Sequence, residues 1–200
     1  MISRVLLQVV GLSVAACTGT PEPLPPAVRF VAAIPEGRTL DTFAVSPDGR
    51  SLAYAAESAA DRRRRIHVRA LDASTERDRE LSSTSGGTSP FFSPDGAWIA
   101  YFSRGGVWRV PADGNADPVR IADAPIDSAG GTWTDDGRIV FAPLGNEGLM
   151  VVRVSGGTPA LLTSLVPGEG ELEHGWPHAV PGGAIAFTVS QRGRDPHVEV

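Results

Sequence analysis

The stretch Phe92-Ser93-Pro94-Asp95-Gly96-Ala97-Trp98-Ile99-Ala100-Tyr101-Phe102 decides how this chain folds. Proline fixes φ at the first corner of a turn, aspartate bonds its own backbone, and glycine accepts a left-handed conformation. The run from Trp98 to Phe102 is rich in aromatic and β-branched residues, which favour strands. The stretch therefore predicts a tight turn that leads into a β-strand.

This turn recurs along the chain. The tetrapeptide Ser46-Pro47-Asp48-Gly49 is identical to Ser93-Pro94-Asp95-Gly96, and Thr134-Asp135-Asp136-Gly137 and Val180-Pro181-Gly182-Gly183 are looser copies. Successive copies begin 47, 41 and 46 residues apart. A period of about 40–45 residues is typical of the four-stranded sheets, or blades, of a β-propeller.

The segments after the turns also repeat. Each turn is followed by a short apolar run and then by a second run in which Arg69, Arg109 or Arg153 alternates with apolar residues, as in half-exposed strands. The predicted second strands are 51–54, 98–102, 139–141 and 184–188, the predicted third strands are 66–71, 106–110 and 149–154, and an outer strand is predicted at 160–163.

The repeat unit, with Phe92-Ser93-Pro94-Asp95-Gly96 at its start and Val107-Trp108-Arg109-Val110 in its third strand, resembles the TolB-type, WD-like propeller repeat of bacterial periplasmic proteins. The resemblance covers about residues 28–200. It implies an all-β fold of four-stranded antiparallel blades, with about three and a half blades present.

A second resemblance lies in the order of smaller motifs. Arg29-Phe30, Pro35-Glu36-Gly37, Gly131-Thr132-Trp133 and His174-Gly175-Trp176-Pro177 are arranged as in the sensor propellers fused to bacterial serine/threonine kinases. This implies a related extracytoplasmic sensing or binding propeller, and it does not imply kinase activity.

The last repeat stops inside a blade, at His197-Val198-Glu199-Val200. Closed propellers typically have about four to eight blades, so we expect a truncated ring. The alternative is that Val28 to Ile34 supplies the outermost strand of the fourth blade and closes a small four-bladed ring.

The first seventeen residues resemble a bacterial lipoprotein signal. Arg4 provides a positive start, residues 5–14 are largely apolar, and Val14-Ala15-Ala16-Cys17 resembles a lipobox. The apolar run is too short to span a bilayer. The resemblance implies that Cys17 becomes the lipidated N-terminus and anchors the protein to a membrane. The alternative is an ordinary secretory signal.

Residues 18–27 (TGTPEPLPPA) predict an extended, proline-rich tether. We therefore divide the chain into the signal at 1–17, the tether at 18–27 and the incomplete propeller at 28–200. Thr18 differs from the aspartate of the inner-membrane retention pattern. The predicted location is the periplasmic face of a bacterial membrane, with the outer membrane favoured, or the cell surface.

Composition excludes several kinds of chemistry. All 18 basic residues are arginine, so no phosphate-loop or Schiff-base lysine exists in this sequence. Cys17 is the single cysteine, which excludes an internal disulfide and a cysteine zinc site. The net charge of −5 argues against a nucleic-acid partner. No nucleophile elbow occurs, and we predict no catalytic residue, metal ligand or cofactor.

Three patterns have a structural interpretation that we prefer. Asp113, Asn115 and Asp117 have the spacing that opens a calcium loop, but Pro118 and Ala124 occupy its required glycine and glutamate positions, so we interpret the segment as a solvated turn. The His174 and His178 pair lacks further metal ligands. The four tryptophans, Trp98, Trp108, Trp133 and Trp176, are interpreted as blade packing, with a ligand cage as the alternative.

Two charged stretches are placed at exposed loops. Arg62 to Arg65 is expected in the loop between the second and third strands of the first blade, with binding to anionic headgroups or an acidic partner as the alternative. Glu169, Glu171 and Glu173 are expected in a solvated loop at the propeller rim.

The leading functional hypothesis is a non-enzymatic, membrane-tethered module that binds a protein, peptide or small molecule at a propeller face. The alternative is the N-terminal propeller of a prolyl-oligopeptidase-type serine peptidase whose catalytic domain is absent from this sequence.

Overall fold

The computed structural model describes residues 34–71, 78–125, 128–145 and 147–200. These residues form antiparallel sheets that follow one another along the chain. The first blade consists of β1 (Arg38–Val45), β2 (Ser51–Ser58), β3 (Arg64–Ala70) and β4 (Asp78–Leu81). The second consists of β5 (Thr88–Phe92), β6 (Trp98–Ser103), β7 (Gly106–Pro111) and β8 (Val119–Asp123).

The third blade contains β9 (Ser128–Trp133), β10 (Arg138–Pro143), β11 (Met150–Arg153) and β12 (Ala160–Leu161). A 3₁₀ turn at Pro167–Glu169 precedes the fourth blade, which contains β13 (Glu171–Ala179), β14 (Ile185–Gln191) and β15 (His197–Glu199). The described sheets thus comprise three four-stranded blades and one three-stranded blade. This confirms the all-β propeller fold with about three and a half blades, and the ring is not closed.

Each blade presents two different faces, because successive residues of a strand point to opposite sides of the sheet. In the second strand of every blade, an aliphatic and an aromatic residue face the preceding side, and a small residue between them faces the following side. The aliphatic residues are Leu52, Ile99, Ile139 and Ile185, the aromatic ones Tyr54, Tyr101, Phe141 and Phe187, and the small ones Ala53, Ala100, Val140 and Ala186.

The core lies between blades and is built from these faces. Ala53 of the first blade packs with Ile99 and Tyr101 of the second. Ala100 of the second packs with Ile139 and Phe141 of the third, and Val140 of the third packs with Phe187 of the fourth. Burial of a large apolar side chain stabilises a fold by about 1.5–3 kcal/mol, so these layers hold the blades together.

The first strand of each blade is innermost, and neighbouring first strands contact each other in the order β1, β5, β9 and β13. Each pairs with its second strand through a register irregularity. The irregularity lies between Leu40 and Thr42 in β1, between Thr88 and Phe91 in β5, and between Gly175 and His178 in β13, and for β9 it lies opposite Phe141 to Pro143 of β10. Inner edges face a channel and need no partner strand, which is why Pro90 and Pro177 are accommodated there. The inner strands therefore form the wall of a central opening.

Candidate binding cleft

A cleft of about 880 Å³ opens onto the inner strands of all four blades. Its volume lies within the range of about 300–1,000 Å³ found for small-molecule sites. The lining is dominated by proline, aromatic and small apolar residues, and among the described residues that line it Asp135 is the only carboxylate and none is arginine. The lining residues are Thr42 to Val45, Pro47, Ser89 to Phe92, Pro94, Gly130 to Trp133, Asp135, Trp176 and His178 to Pro181.

A backbone position with positive φ recurs on the inner strands. Ser89, Gly130 and Trp176 have φ values of 47°, 84° and 51°, and each lies four residues before the start of its turn. The corresponding residue of the first blade is Thr42. Positive φ is uncommon for a residue with a side chain and costs about 1–3 kcal/mol. Strain of this kind clusters at ligand-binding sites.

Trp176 is the most unusual of these residues. Its side chain is 59% exposed although it is a large apolar residue in the middle of β13. Phe43, on β1, is 63% exposed and lines the same cleft. The interpretation of the tryptophans as blade packing therefore holds only in part for Trp176, whose largely exposed ring also lies against Gly130 of the third blade, whereas Trp133 is buried in the core between the second and third blades.

Side-chain hydrogen bonds fix the inner strands to one another. The Thr42 hydroxyl accepts a hydrogen bond from the Ser89 N–H at 2.9 Å, and the Thr132 hydroxyl accepts one from the Ala179 N–H at 3.1 Å. The Thr88 hydroxyl donates to Asp41 at 2.8 Å. These bonds join the first blade to the second and the third to the fourth, so the cleft has a pre-formed wall.

The repeat turns lie at the rim of this cleft. Gly49, Gly96 and Gly137 each donate an N–H to the carbonyl of the first turn residue, at 2.8, 2.9 and 3.0 Å. Pro47, Pro94 and Pro181 contribute to the lining, as does Asp135, which occupies the proline position of the third turn.

The first residue of each turn and its aspartate form a second bond. Ser46 donates to Asp48 at 2.6 Å, Ser93 to Asp95 at 2.5 Å and Thr134 to Asp136 at 2.6 Å. The Ser93 hydroxyl also accepts the Trp98 N–H at 2.9 Å. The Ser93 hydroxyl and the Ala97 N–H lower the pKa of Asp95, since both hydrogen bonds favour the carboxylate. The turn aspartates thus have a structural role.

A buried polar chain joins the third and fourth blades. Thr163 Oγ1 lies 2.8 Å from His174 Nδ1, and His174 Nε2 lies 3.2 Å from Glu171 Oε2. The Thr163 hydroxyl also accepts the Leu149 N–H at 2.9 Å, so this hydroxyl connects the backbone at Leu149 to the imidazole. Glu171 also accepts the Val166 N–H at 2.6 Å.

The position of Glu171 corrects one expectation. Glu171 and Glu173 lie in β13, and only 4% of the Glu171 side chain is exposed, so neither lies in a solvated loop, whereas Glu169 is exposed in the preceding turn. A buried carboxylate needs hydrogen-bond partners, and His174 and the Val166 N–H provide them. His178, by contrast, is exposed and lines the cleft.

The arginine run is mostly paired rather than free in a loop. Arg64 and Arg65 are the first residues of β3, and Arg62 is in the preceding turn. Arg62 pairs with Glu57 at 3.0 Å and Arg64 with Asp41 at 3.5 Å, and Arg65 pairs with Asp61 and Glu80. Local carboxylates therefore neutralise these three guanidinium groups.

A second cluster of buried polar side chains lies in the first blade. Tyr54 donates to Asp78 at 2.7 Å, and Arg38 pairs with the same carboxylate. The His67 ring stacks on Tyr54 with centroids 5.0 Å apart. His67 is buried and its Nδ1 has no hydrogen-bond partner among the described residues. Burial, with a smaller contribution from Arg38, lowers the pKa of His67.

Cys17 and the lipobox residues Val14, Ala15 and Ala16 lie outside the described residues. Within the described ranges, no set of three or more histidine, aspartate or glutamate side chains is placed to hold a metal ion. No helix among the described residues is long and apolar enough to cross a membrane.

Comparison with family models gives no match, and no curated protein matches significantly. Solved structures do match. The calcium-binding protein regucalcin from Agrobacterium tumefaciens superposes with a TM-score of 0.53 and 16% identity over 80% of this chain and 56% of its own. The propeller domain of the Trilobed protease from Pyrococcus furiosus gives 0.50 and 12% over 82% and 58%.

A putative TolB from Agrobacterium tumefaciens is 25% identical over 60% of this chain and 48% of its own, with a TM-score of 0.47. The chain thus spans about half the length of these three structures. Together with the sheet topology, the regucalcin and protease superpositions establish that the chain has the β-propeller fold.

Proposed function

We propose that this protein is a membrane-tethered extracytoplasmic propeller that binds a protein, peptide or small molecule. The observation that carries the proposal is the central cleft, where Phe43 and Trp176 expose large aromatic surfaces on a rigid wall. Exposed aromatic side chains at a concave site are typical of binding surfaces. Both aromatic groups line the cleft and lie outside the apolar clusters between the blades.

The tether rests on the sequence. Val14-Ala15-Ala16-Cys17 resembles a lipobox, and residues 18–27 provide a proline-rich connection to the repeats. Acyl chains contribute about 0.8 kcal/mol per buried CH₂, so a multiply acylated Cys17 would hold the propeller at a membrane surface.

The tether is tested by producing the full-length protein in a bacterial host and measuring the mass of its N-terminal peptide. We expect cleavage before Cys17 and a mass increase from acyl groups, with the protein in the membrane fraction. The C17S variant should be released to the soluble fraction. An uncleaved and unmodified Cys17 would refute the tether.

The second candidate is the propeller domain of a serine peptidase. It is supported by the likeness of the fold to the propeller domain of a protease. In such a protein the propeller would accompany a hydrolase domain. Hydrolysis of blocked peptides by the product of the complete reading frame would support this candidate, and its absence, with binding retained, supports the binding module.

A further inference from the structure

Three residues that line the cleft, one carboxylate and two aromatic residues, differ in type from the residues at the equivalent positions of the other blades. The second residue of the repeat turn is proline in the first, second and fourth blades (Pro47, Pro94 and Pro181). In the third blade it is Asp135. Asp135 is exposed, and no hydrogen bond or ion pair joins its carboxylate to another described residue. Its neighbour Asp136, in contrast, bonds Thr134 and Arg138. The Asp135 carboxylate is therefore available to a ligand.

The two exposed aromatic residues are departures of the same kind. Phe43 occupies the position that Pro90, Gly131 and Pro177 hold in the other blades. Trp176 occupies the position that holds Thr42, Ser89 and Gly130 in the other blades. The rest of the repeat therefore uses small or proline residues at these sites, and the aromatic rings are additions to the cleft wall.

From these three departures we infer that the cleft binds a peptide segment that carries an arginine or lysine beside a large apolar side chain. This inference rests on the proposed binding function. Aromatic faces attract both apolar groups and cations, and the Asp135 carboxylate attracts the cation directly. The described lining has no arginine to bind an acidic group, and the whole chain has a net charge of −5.

The ligand's size follows from the cleft. A volume of about 880 Å³ accommodates a molecule of drug size, which corresponds to a blocked tripeptide. The apolar side chains would lie against Phe43 and Trp176, and the cationic group would reach the rim at Asp135. Since the cation stays near solvent, its contribution falls with salt, whereas the apolar contribution does not.

The test uses the full chain and two blocked tripeptides, leucine-arginine-leucine and leucine-glutamate-leucine, in isothermal titration calorimetry. We expect the arginine peptide to bind about two- to fivefold more tightly at low salt, in the range of an exposed charge pair, and this preference to shrink at about 0.5 M salt. Equal affinity for the two peptides, or no binding of either, would overturn the inference.

Variants locate the interaction. D135N should remove the preference for the arginine peptide, and the matched control D195N, at an exposed carboxylate that does not line the cleft, should retain it. W176A should weaken binding of both peptides about tenfold or more, as truncation of a central aromatic contact does. W176F, which keeps a ring, should retain most of the affinity and guards against a folding defect.

The outcomes separate the two proposals. If W176A weakens both peptides but D135N has no effect, the cleft is a binding site and the inferred charge preference is wrong. If W176A leaves the affinity of the arginine peptide unchanged, the inferred site is wrong. The tether and the assay for hydrolysis are decided independently by the N-terminal mass and the blocked-peptide substrates.

Discussion

The indole of Trp176 lies directly over the backbone of Gly130, so that a Cβ on Gly130 would come within 2.9 Å of Cε3. Two features require glycine at this position: the close approach of the indole, and a φ of +84°, which residues with a side chain rarely adopt. The positive-φ glycine of one inner strand thus accommodates the aromatic side chain at the equivalent position of the next.

The G130A variant should therefore be destabilised and should displace Trp176. We expect the free energy of unfolding to fall by about 1–3 kcal/mol, measured by urea denaturation, with a change in tryptophan emission. G182A is the matched control, since Gly182 also has positive φ but a Cβ added there would meet no atom within 4 Å. Equal losses in both variants would show that the Trp176 contact is unimportant.

The S93A variant tests the turn that recurs through the fold. Ser93 is buried, and its hydroxyl accepts the Trp98 N–H and donates to Asp95. Its removal leaves a backbone donor without its partner, which costs about 1–3 kcal/mol. Thermal denaturation should show this loss, whereas S82A, at an exposed serine, should leave the melting temperature almost unchanged. Equal stability of S93A and S82A would contradict the role assigned to the turn.

The T163V variant tests the polar chain between the third and fourth blades. Valine keeps the shape of threonine but removes the acceptor for the Leu149 N–H and the bond to His174. We expect a loss of about 1–3 kcal/mol and faster amide exchange at Leu149. T158V, at an exposed threonine, provides the comparison. Unchanged exchange at Leu149 would mean that this polar chain does not hold the blades together.

The H67F variant should reduce the acid sensitivity of the fold. The folded-state pKa of His67 is lowered by burial and by Arg38, so as pH falls through about 6.5, the value for an unfolded chain, the unfolded state takes up a proton first. Stability is therefore lost toward low pH, down to the folded-state pKa. The free energy of unfolding, measured by urea denaturation at pH 7, 6 and 5, should depend less steeply on pH in H67F. The difference in slope should correspond to the uptake of up to about one proton on unfolding. Identical slopes would exclude His67 as the source.

Much of the fold could be predicted because the turns and the second and third strands carry local signals. Ser93-Pro94-Asp95-Gly96 encodes its own turn geometry, and the alternation around Arg69, Arg109 and Arg153 follows the pleat of β3, β7 and β11. The first strands lack these signals. Gly130, Gly131 and Pro177 are poor strand residues, and they are tolerated because an inner edge has no second partner.

The candidate cleft could not be predicted, because it depends on residues from blades far apart in the chain. Phe43 and Trp176 are separated by more than 130 positions, and only the arrangement of the inner strands brings them to one wall. The pairing of the arginine run was hidden for a similar reason, since Asp41 and Glu80 belong to other strands of the same blade. Comparing equivalent positions of the repeat provides a signal that could have identified Phe43, Asp135 and Trp176.

The two-faced construction of the blades has a consequence for how such a protein can evolve. Because a small residue of one blade meets an aliphatic and an aromatic residue of the next at every described seam, the seams are interchangeable. Duplication or loss of one whole repeat would join surfaces that already match, and the hydrophobic layers would survive the change. Phe43 and Trp176 lie outside these layers. Gain or loss of a repeat would therefore change the number of blades, whereas point mutations at such positions would change the surface of the cleft.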